Sequence, residues 1–173
     1  MSDGGAGDGV VTRLRAARPD ERELLERWRR EPASEFDDLA DPADVPVHVE
    51  ERDAGGGELV VTDGADRPLG TVSWRQVAYG PNAASTAVNI GIALRPRAWA
   101  RGHGSRAQRM LAEYLFAQLP VHRVEASTDV DHVAEQRALE RAGFVREGVL
   151  RGAQWRRGTW HDLVSYARLR SDG

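Results

Sequence analysis

The chain has no cysteine and no lysine. The first absence excludes a disulfide framework, a thiolate nucleophile and any cysteine-based zinc or iron–sulfur site. The second excludes Schiff-base chemistry and a Walker-type phosphate lysine, and it makes all 24 basic residues arginine. No apolar run reaches the roughly 18 residues of a membrane-spanning helix. The opening MSDGGAGDG has neither the basic region nor the apolar stretch of a signal peptide, so a cytoplasmic, soluble protein is expected. A net charge of -3 gives no overall attraction toward nucleic acid or anionic membrane, and neither is expected as a partner. The five histidines are scattered without i, i+4 or H-x-H pairing, so no metal site is expected.

What is present suits one compact domain. With 173 residues, 40% of them hydrophobic, a single core can bury roughly two thirds of the surface of the unfolded chain. Residues 1–9 are mostly Gly and Asp and read as a disordered leader, with the domain spanning 10–170. VVTRLRAA reads as a strand. PDERELLERWRR reads as a helix, with Pro19 near its start and acids in its first turn. Residues 31–57 are broken by prolines and glycines and read as loop, placed to cover a substrate site. ELVVTDGADRPLGTVSWRQV reads as a hairpin, STAVNIGIALR as a strand and VHRVEAST as another. Between the last two, Ala107, Met110, Leu111, Tyr114, Leu115 and Leu119 recur at helical spacing and predict a helix with that face on a sheet. DHVAEQRALERAG reads as a second helix closed by Gly143, followed by the strand pair FVREGVLRG and WHDLVSYARLR. The order predicts an α/β fold with a central mixed sheet flanked by helices.

The segment IALRPRAWARGHGSRAQRML runs from a strand through Gly102 and Gly104 into a helix. Amides at a helix N-terminus lack intrahelical acceptors and attract anions, phosphate above all, and glycine lets backbone approach closely. A tight turn that uses glycine only for its dihedral angles is the alternative.

Here the sequence resembles the GNAT superfamily of acetyl-CoA-dependent N-acetyltransferases, whose pyrophosphate turn reads Gln/Arg-x-x-Gly-x-Gly/Ala. It maps on Trp99-Ala100-Arg101-Gly102-His103-Gly104: both glycines match and Trp stands at the first position. HVAEQRALERAGF resembles the RimJ/RimL-like branch, which carries Asn-x-x-Ser-x-Arg-x-x-Glu-Lys-x-Gly-Phe. Arg137, Glu140, Gly143 and Phe144 match; Arg141 replaces the Lys, His132 the Asn and Glu135 the Ser. The resemblance implies a GNAT fold with splayed parallel strands. The pantetheine arm of acetyl-CoA would lie between residues 89–94 and 124–128. Ile92, Ala93, Leu94, Trp99, Ala100, Arg101, Gly102, His103, Gly104, Ser105, His132 and Arg137 would bind the cofactor. It implies acetylation of a primary amine, on a small molecule or a protein N-terminus, and it is compatible with a homodimer. A non-catalytic acyl-CoA-binding module, or a GNAT-fold enzyme using another acyl group or reaction, are the alternatives.

Direct attack on the thioester requires a neutral amine, an oxyanion donor and a proton for the leaving thiolate, and no covalent enzyme intermediate. Glu135 and His132 are the catalytic candidates. Glu135 stands where the branch has a Ser suspected of protonating the sulfur; as the third residue of a helix capped by His132, it equally suits a capping box, and capping preference favours that reading. His132 could keep a cofactor hydrogen bond or titrate near neutral pH, or be a substituted cap. His103 reads as a solvent-facing spectator. His161 and Asp162, adjacent on a strand, point to opposite faces and form no dyad. Leu139 stands at the usual tyrosine donor and Asn89 at a usual carboxylate base, which leaves a water relay or a loop carboxylate such as Glu50. Trp28, Trp74, Trp155 and Trp160 fall where the family builds its acceptor pocket or its core, and core packing is favoured for most.

Overall fold

The computed structural model describes residues 10–37 and 55–172. The leader and Glu50 lie outside them. Seven strands form one sheet, β1 (Arg13–Arg15), β2 (Gly57–Thr62), β3 (Pro68–Ala78), β4 (Thr86–Leu94), β5 (Arg123–Asp129), β6 (Val145–Arg156) and β7 (Thr159–Leu169). They lie in the order β1-β2-β3-β4-β5-β7-β6. The β4–β5 pair is parallel and the other neighbours are antiparallel, so the sheet is mixed as expected. Helix α1 is Arg22–Arg30, α2 is His103–Gln118 and α3 is Val133–Arg141. The first strand is much shorter than VVTRLRAA suggested, with only three residues paired to β2.

The core lies between the sheet and α2 with α3. Val61, Val72, Val88, Ile90 and Val124 of the sheet meet Ala107, Leu111, Leu115 and Leu139 of the helices. The buried face of α2 also takes in Gln108 and Ala112, whereas Tyr114, expected in the core, is 43% exposed. Periodicity found the helix and set its face about one residue off. Thr71, Ser73, Gly91 and Ala93 alternate with the core-facing residues and therefore point to the opposite side. There they floor a groove of about 340 Å³ walled by Leu25, Trp28 and Arg29 of α1. Gly143 adopts φ +91 after α3, ending the helix in the left-handed conformation that its glycine permits.

Candidate active site

Parallel pairing between β4 and β5 holds for only two residue pairs, Val88 with Val124 and Asn89 with Glu125. Beyond them the strands part. A cavity of about 180 Å³ opens between Ile90, Gly91 and Ile92 on one side and Ala126, Ser127 and Thr128 on the other. The parted strands present backbone groups that no neighbouring strand pairs, which suits an extended, amide-bearing ligand laid between them.

Glu135 and Leu139 of α3 and Gln108 of α2 form the helix side of this cavity. The capping box expected at Glu135 is absent. His132 does stand at the N-cap, but it makes no side-chain cap bond, and its backbone N–H donates to Asp129 O at 3.0 Å. The Glu135 side chain is thereby free to turn inward, where Gln108 Nε2 donates to its Oε1. Burial pushes the carboxyl up to about 7, against the smaller opposing effect of that amide. A carboxyl that titrates in this range exchanges its proton near neutral pH.

The cavity is roofed by Phe36 and Asp37, from the short strap that follows α1. Phe36 stacks on the His132 ring at 4.2 Å between centroids and 8° between planes. The Arg156 guanidinium lies 5.7 Å from the centre of the same phenyl ring. Asp37 closes the strap locally: its carboxylate accepts from the Ala33 N–H at 2.5 Å and the Ser34 N–H at 3.1 Å. His132 Nδ1 lies 3.3 Å from Thr128 Oγ1. Burial lowers the His132 imidazole below its ordinary value, so it is neutral at pH 7.

A buried ion pair at the end of β5 supports this roof. Arg156 Nη2 donates to Asp129 Oδ2 at 2.5 Å, and His161 Nδ1 lies 3.3 Å from the same oxygen. Burial alone would raise the Asp129 carboxyl, but the Asp131 N–H and Arg156 hold it below the usual range. Asp162, on the other strand face, accepts from the Gly152 N–H at 2.7 Å and serves the β6–β7 hairpin.

The glycine turn is formed as the sequence suggests, with different work for its residues. Gly102 is the N-cap of α2 at φ +80, and Ala100 before it is at φ +56. Arg106 N–H reaches Gly102 O at 3.3 Å, leaving the amides of residues 103–105 without intrahelical acceptors. A Cβ at Gly104 would meet Leu94 and Ala138 at 3.7 and 3.9 Å, ordinary contact distances, so this position faces β4 and α3 but does not require glycine for close approach. Trp99 donates its ring N–H to Leu94 O at 2.7 Å, which closes the turn on the strand end. His103 is no solvent-facing spectator. It is 5% exposed, its Nδ1 lies 2.9 Å from Thr12 Oγ1, and burial together with Arg106 and Arg101 keeps it neutral. Those two arginines and the free amides make the turn electropositive; Arg106, absent from the residues that the family motif picks out, is the i+4 neighbour of Gly102 on the helix.

Other candidates fall elsewhere. Arg137 is exposed on α3. Asn89 lies at the apex of the strand gap beside Glu125, whose carboxylate accepts from Tyr79 OH at 2.6 Å and Arg123 Nε at 2.9 Å. Of the tryptophans, Trp74 packs on the core, Trp28 lines the groove, and Trp155 and Trp160 are 40% and 63% exposed. Core packing therefore does not hold for most of them.

A parallel sheet opening beside a glycine turn at a helix N-terminus is the arrangement that the GNAT resemblance implied, and comparison with known proteins bears on the family. Residues 12–145 match the family model described as an Acetyltransferase (GNAT) domain. The chain belongs to this family. It is 35% identical over 113 residues to the Bacillus subtilis (strain 168) protein named "Probable N-acetyltransferase YjcK", covering 65% of this chain and 61% of the relative. The match thus spans less than two thirds of that relative's length. Among solved structures, spermidine N-acetyltransferase from Vibrio cholerae, in complex with CoA and spermine, superposes with a TM-score of 0.74 at 19% identity, covering 93% of this chain and 96% of the other. RimL, a ribosomal L7/L12 alpha-N-protein acetyltransferase in complex with coenzyme A, gives 0.72 at 20% identity, covering 94% and 96%. Both show the GNAT fold. No helix among the described residues is long and apolar enough to cross a membrane.

Proposed function

We propose that this GNAT protein transfers an acetyl group from acetyl-CoA to a primary amine by direct attack on the thioester. The observation that carries the reading is the strand gap beyond Asn89, between residues 90–92 and 126–128, with the Glu135 carboxyl on its wall. Acetyl-CoA supplies the activated acyl group. The free amides of residues 103–105, with Arg101 and Arg106, suit its pyrophosphate, and the parted strands suit the amides of its pantetheine arm. Trp99 contributes by fixing the turn, since its N–H is already engaged at Leu94 O. Glu135 supplies the proton that the departing thiolate needs, and Leu139, at the usual tyrosine position, leaves that task to it.

An amine fits the electrostatics of the mouth. Glu35 and Asp37 on the strap and Asp129 beneath it set three negative charges near His132 against the one positive charge of Arg156, a balance that suits a cationic acceptor. The polyamine and protein N-terminus named for the two solved relatives are both amines; a small-molecule amine and a protein N-terminus are the acceptor classes proposed. Neutral His132 is placed to hydrogen-bond substrate beside the gap. A single domain over 10–170, a cytoplasmic location and a homodimer complete the reading. Support for the dimer comes from β6, a 12-residue edge strand with Val145, Val149 and Leu150 exposed, an edge of the kind a second copy can pair.

The test is release of free thiol from acetyl-CoA with a panel of amines, alcohols and thiols, with the product identified by mass. Thiol release with amines and a product heavier by one acetyl group is expected. Acetyl-CoA binding by calorimetry without thiol release for any amine would replace the enzyme by a binding module.

A further inference from the structure

One polar side chain of the cavity wall has no part in the reaction as described so far. Gln108 is 1% exposed on α2, five residues into the helix that the glycine turn opens. Its Nε2 donates to Glu135 Oε1. Its own Oε1 is buried and has no partner among the described residues. An unpaired buried acceptor destabilises a fold, and a methionine at 108 would avoid it. The amide is therefore held in this orientation by its bond to Glu135.

We infer that Gln108 is a positioning residue for the proposed transfer, occupying Oε1 of Glu135 with an N–H so that the transferable proton stays on Oε2. The inference rests on Glu135 being the proton donor. An oxygen that already accepts an N–H is the poorer site for a proton, so the neutral carboxyl carries its hydrogen on the other oxygen. With the amide reversed, Gln108 Oε1 would accept that hydrogen and hold it back from substrate. Once the proton has left, the N–H to Oε1 bond becomes charge-assisted and stabilises the carboxylate in a site that burial otherwise makes unfavourable. The same contact thus places the proton and eases its departure.

Other charged or titratable groups on the cavity wall do not substitute for it. Asp37 is bound by the Ala33 and Ser34 amides, Asp129 is paired with Arg156, and His132 is neutral and stacked on Phe36. Among the described residues Gln108 is the one hydrogen-bond partner of the Glu135 carboxyl.

The experiment is a ¹³C NMR titration of the Glu135 carboxyl in the full chain, for wild type and Gln108→Met, joined to the pH profile of kcat. Loss of the N–H should raise the carboxyl midpoint by at least about half a pH unit, threefold in the ionisation constant. The limb of the kcat profile should move with it and kcat should fall, while KM for acetyl-CoA stays within twofold because the glycine turn is untouched. Gln108→Asn, which keeps the amide but withdraws it by one methylene, should move the midpoint in the same direction and serves if Gln108→Met does not fold. An unmoved midpoint in a folded variant, with only a lower melting temperature, overturns the inference. Full turnover in Glu135→Gln would instead overturn the catalytic role of Glu135, and the titration separates the two failures.

Discussion

Replacing Glu135 by Gln removes a carboxyl whose ionisation the fold shifts up to about 7, and its stability effect follows from the site. In the native cavity the group titrates at about 7, against an ordinary value of 4.5. A native carboxyl with a raised pKa binds its proton more tightly than the unfolded chain does. Its favourable contribution is fully present below pH 4.5 and is lost as pH rises to 7, above which the loss is constant. At 1.36 kcal/mol per unit the whole loss is about 3 kcal/mol, and most of it falls between pH 5 and 8. Glutamine keeps the shape and an acceptor for Gln108 and has no proton to lose. His103 and His132, whose native values are lowered, act in the opposite sense through the same window by gaining stability as pH rises. The comparison must therefore be wild type against variant at each pH. Urea unfolding followed by tryptophan fluorescence at pH 5 and 8 should show Glu135→Gln gaining on the order of 2 kcal/mol over wild type between the two conditions, with m unchanged. The same variant should release thiol from acetyl-CoA slowly. Parallel stability curves for the two proteins would refute the buried, protonated carboxyl.

Three further perturbations probe the frame around it. Gly102→Ala places a side chain at φ +80 with its Cβ 2.9 Å from Arg106 Nη1, so acetyl-CoA affinity by calorimetry should fall about tenfold, whereas Gly104→Ala, with contacts at 3.7 and 3.9 Å, should bind as wild type does. Trp99→Phe removes the ring N–H bond to Leu94 O and should lower stability in urea by about 1 kcal/mol, with weaker cofactor binding from a looser turn. Glu21, held at about 2 chiefly by its hydrogen bond from Arg15, contributes stability above pH 4.5 that is lost as pH falls toward 2; Glu21→Gln should flatten the acid limb of the unfolding curve measured at pH 5 and 3.

Much of the fold was legible because its elements are locally consistent. Alternation marked β2, β3 and β4, a 3.6-residue period marked α2, and glycines marked the turns at 102 and 143. Misreadings arose where tertiary contact decides. Val10 to Thr12 look like strand, yet β2 offers partners only for Arg13–Arg15. An apolar count over α2 takes in Tyr114 and passes over Gln108, although Ala107, Leu111 and Leu115 of the predicted face are buried. Gln108 in fact shares that face with Leu111 and Leu115, at the i+3 and i+7 positions of a helix, and an amide breaking such a stripe is a signal available to a reader who asks what it pairs with.

The site was half legible for a similar reason. Backbone features, the turn and the strand gap, follow from glycine spacing and element order, but the fate of a side chain depends on what else competes for the same groups. A capping box at Glu135 requires a free N–H at His132, and Asp129 O takes that N–H from outside the helix. The local preference then has nothing to bind, and the carboxyl turns to Gln108 across a sequence separation of 27 residues. Leu139, one turn further along α3, contributes through what it lacks. It is 1% exposed and brings no hydroxyl, so it keeps the wall beside Glu135 apolar. That apolar wall raises the carboxyl into the range where it can act as an acid at neutral pH. On the proposed mechanism, the missing tyrosine and the added carboxyl, which look like two separate departures along the sequence, are one exchange of proton donor.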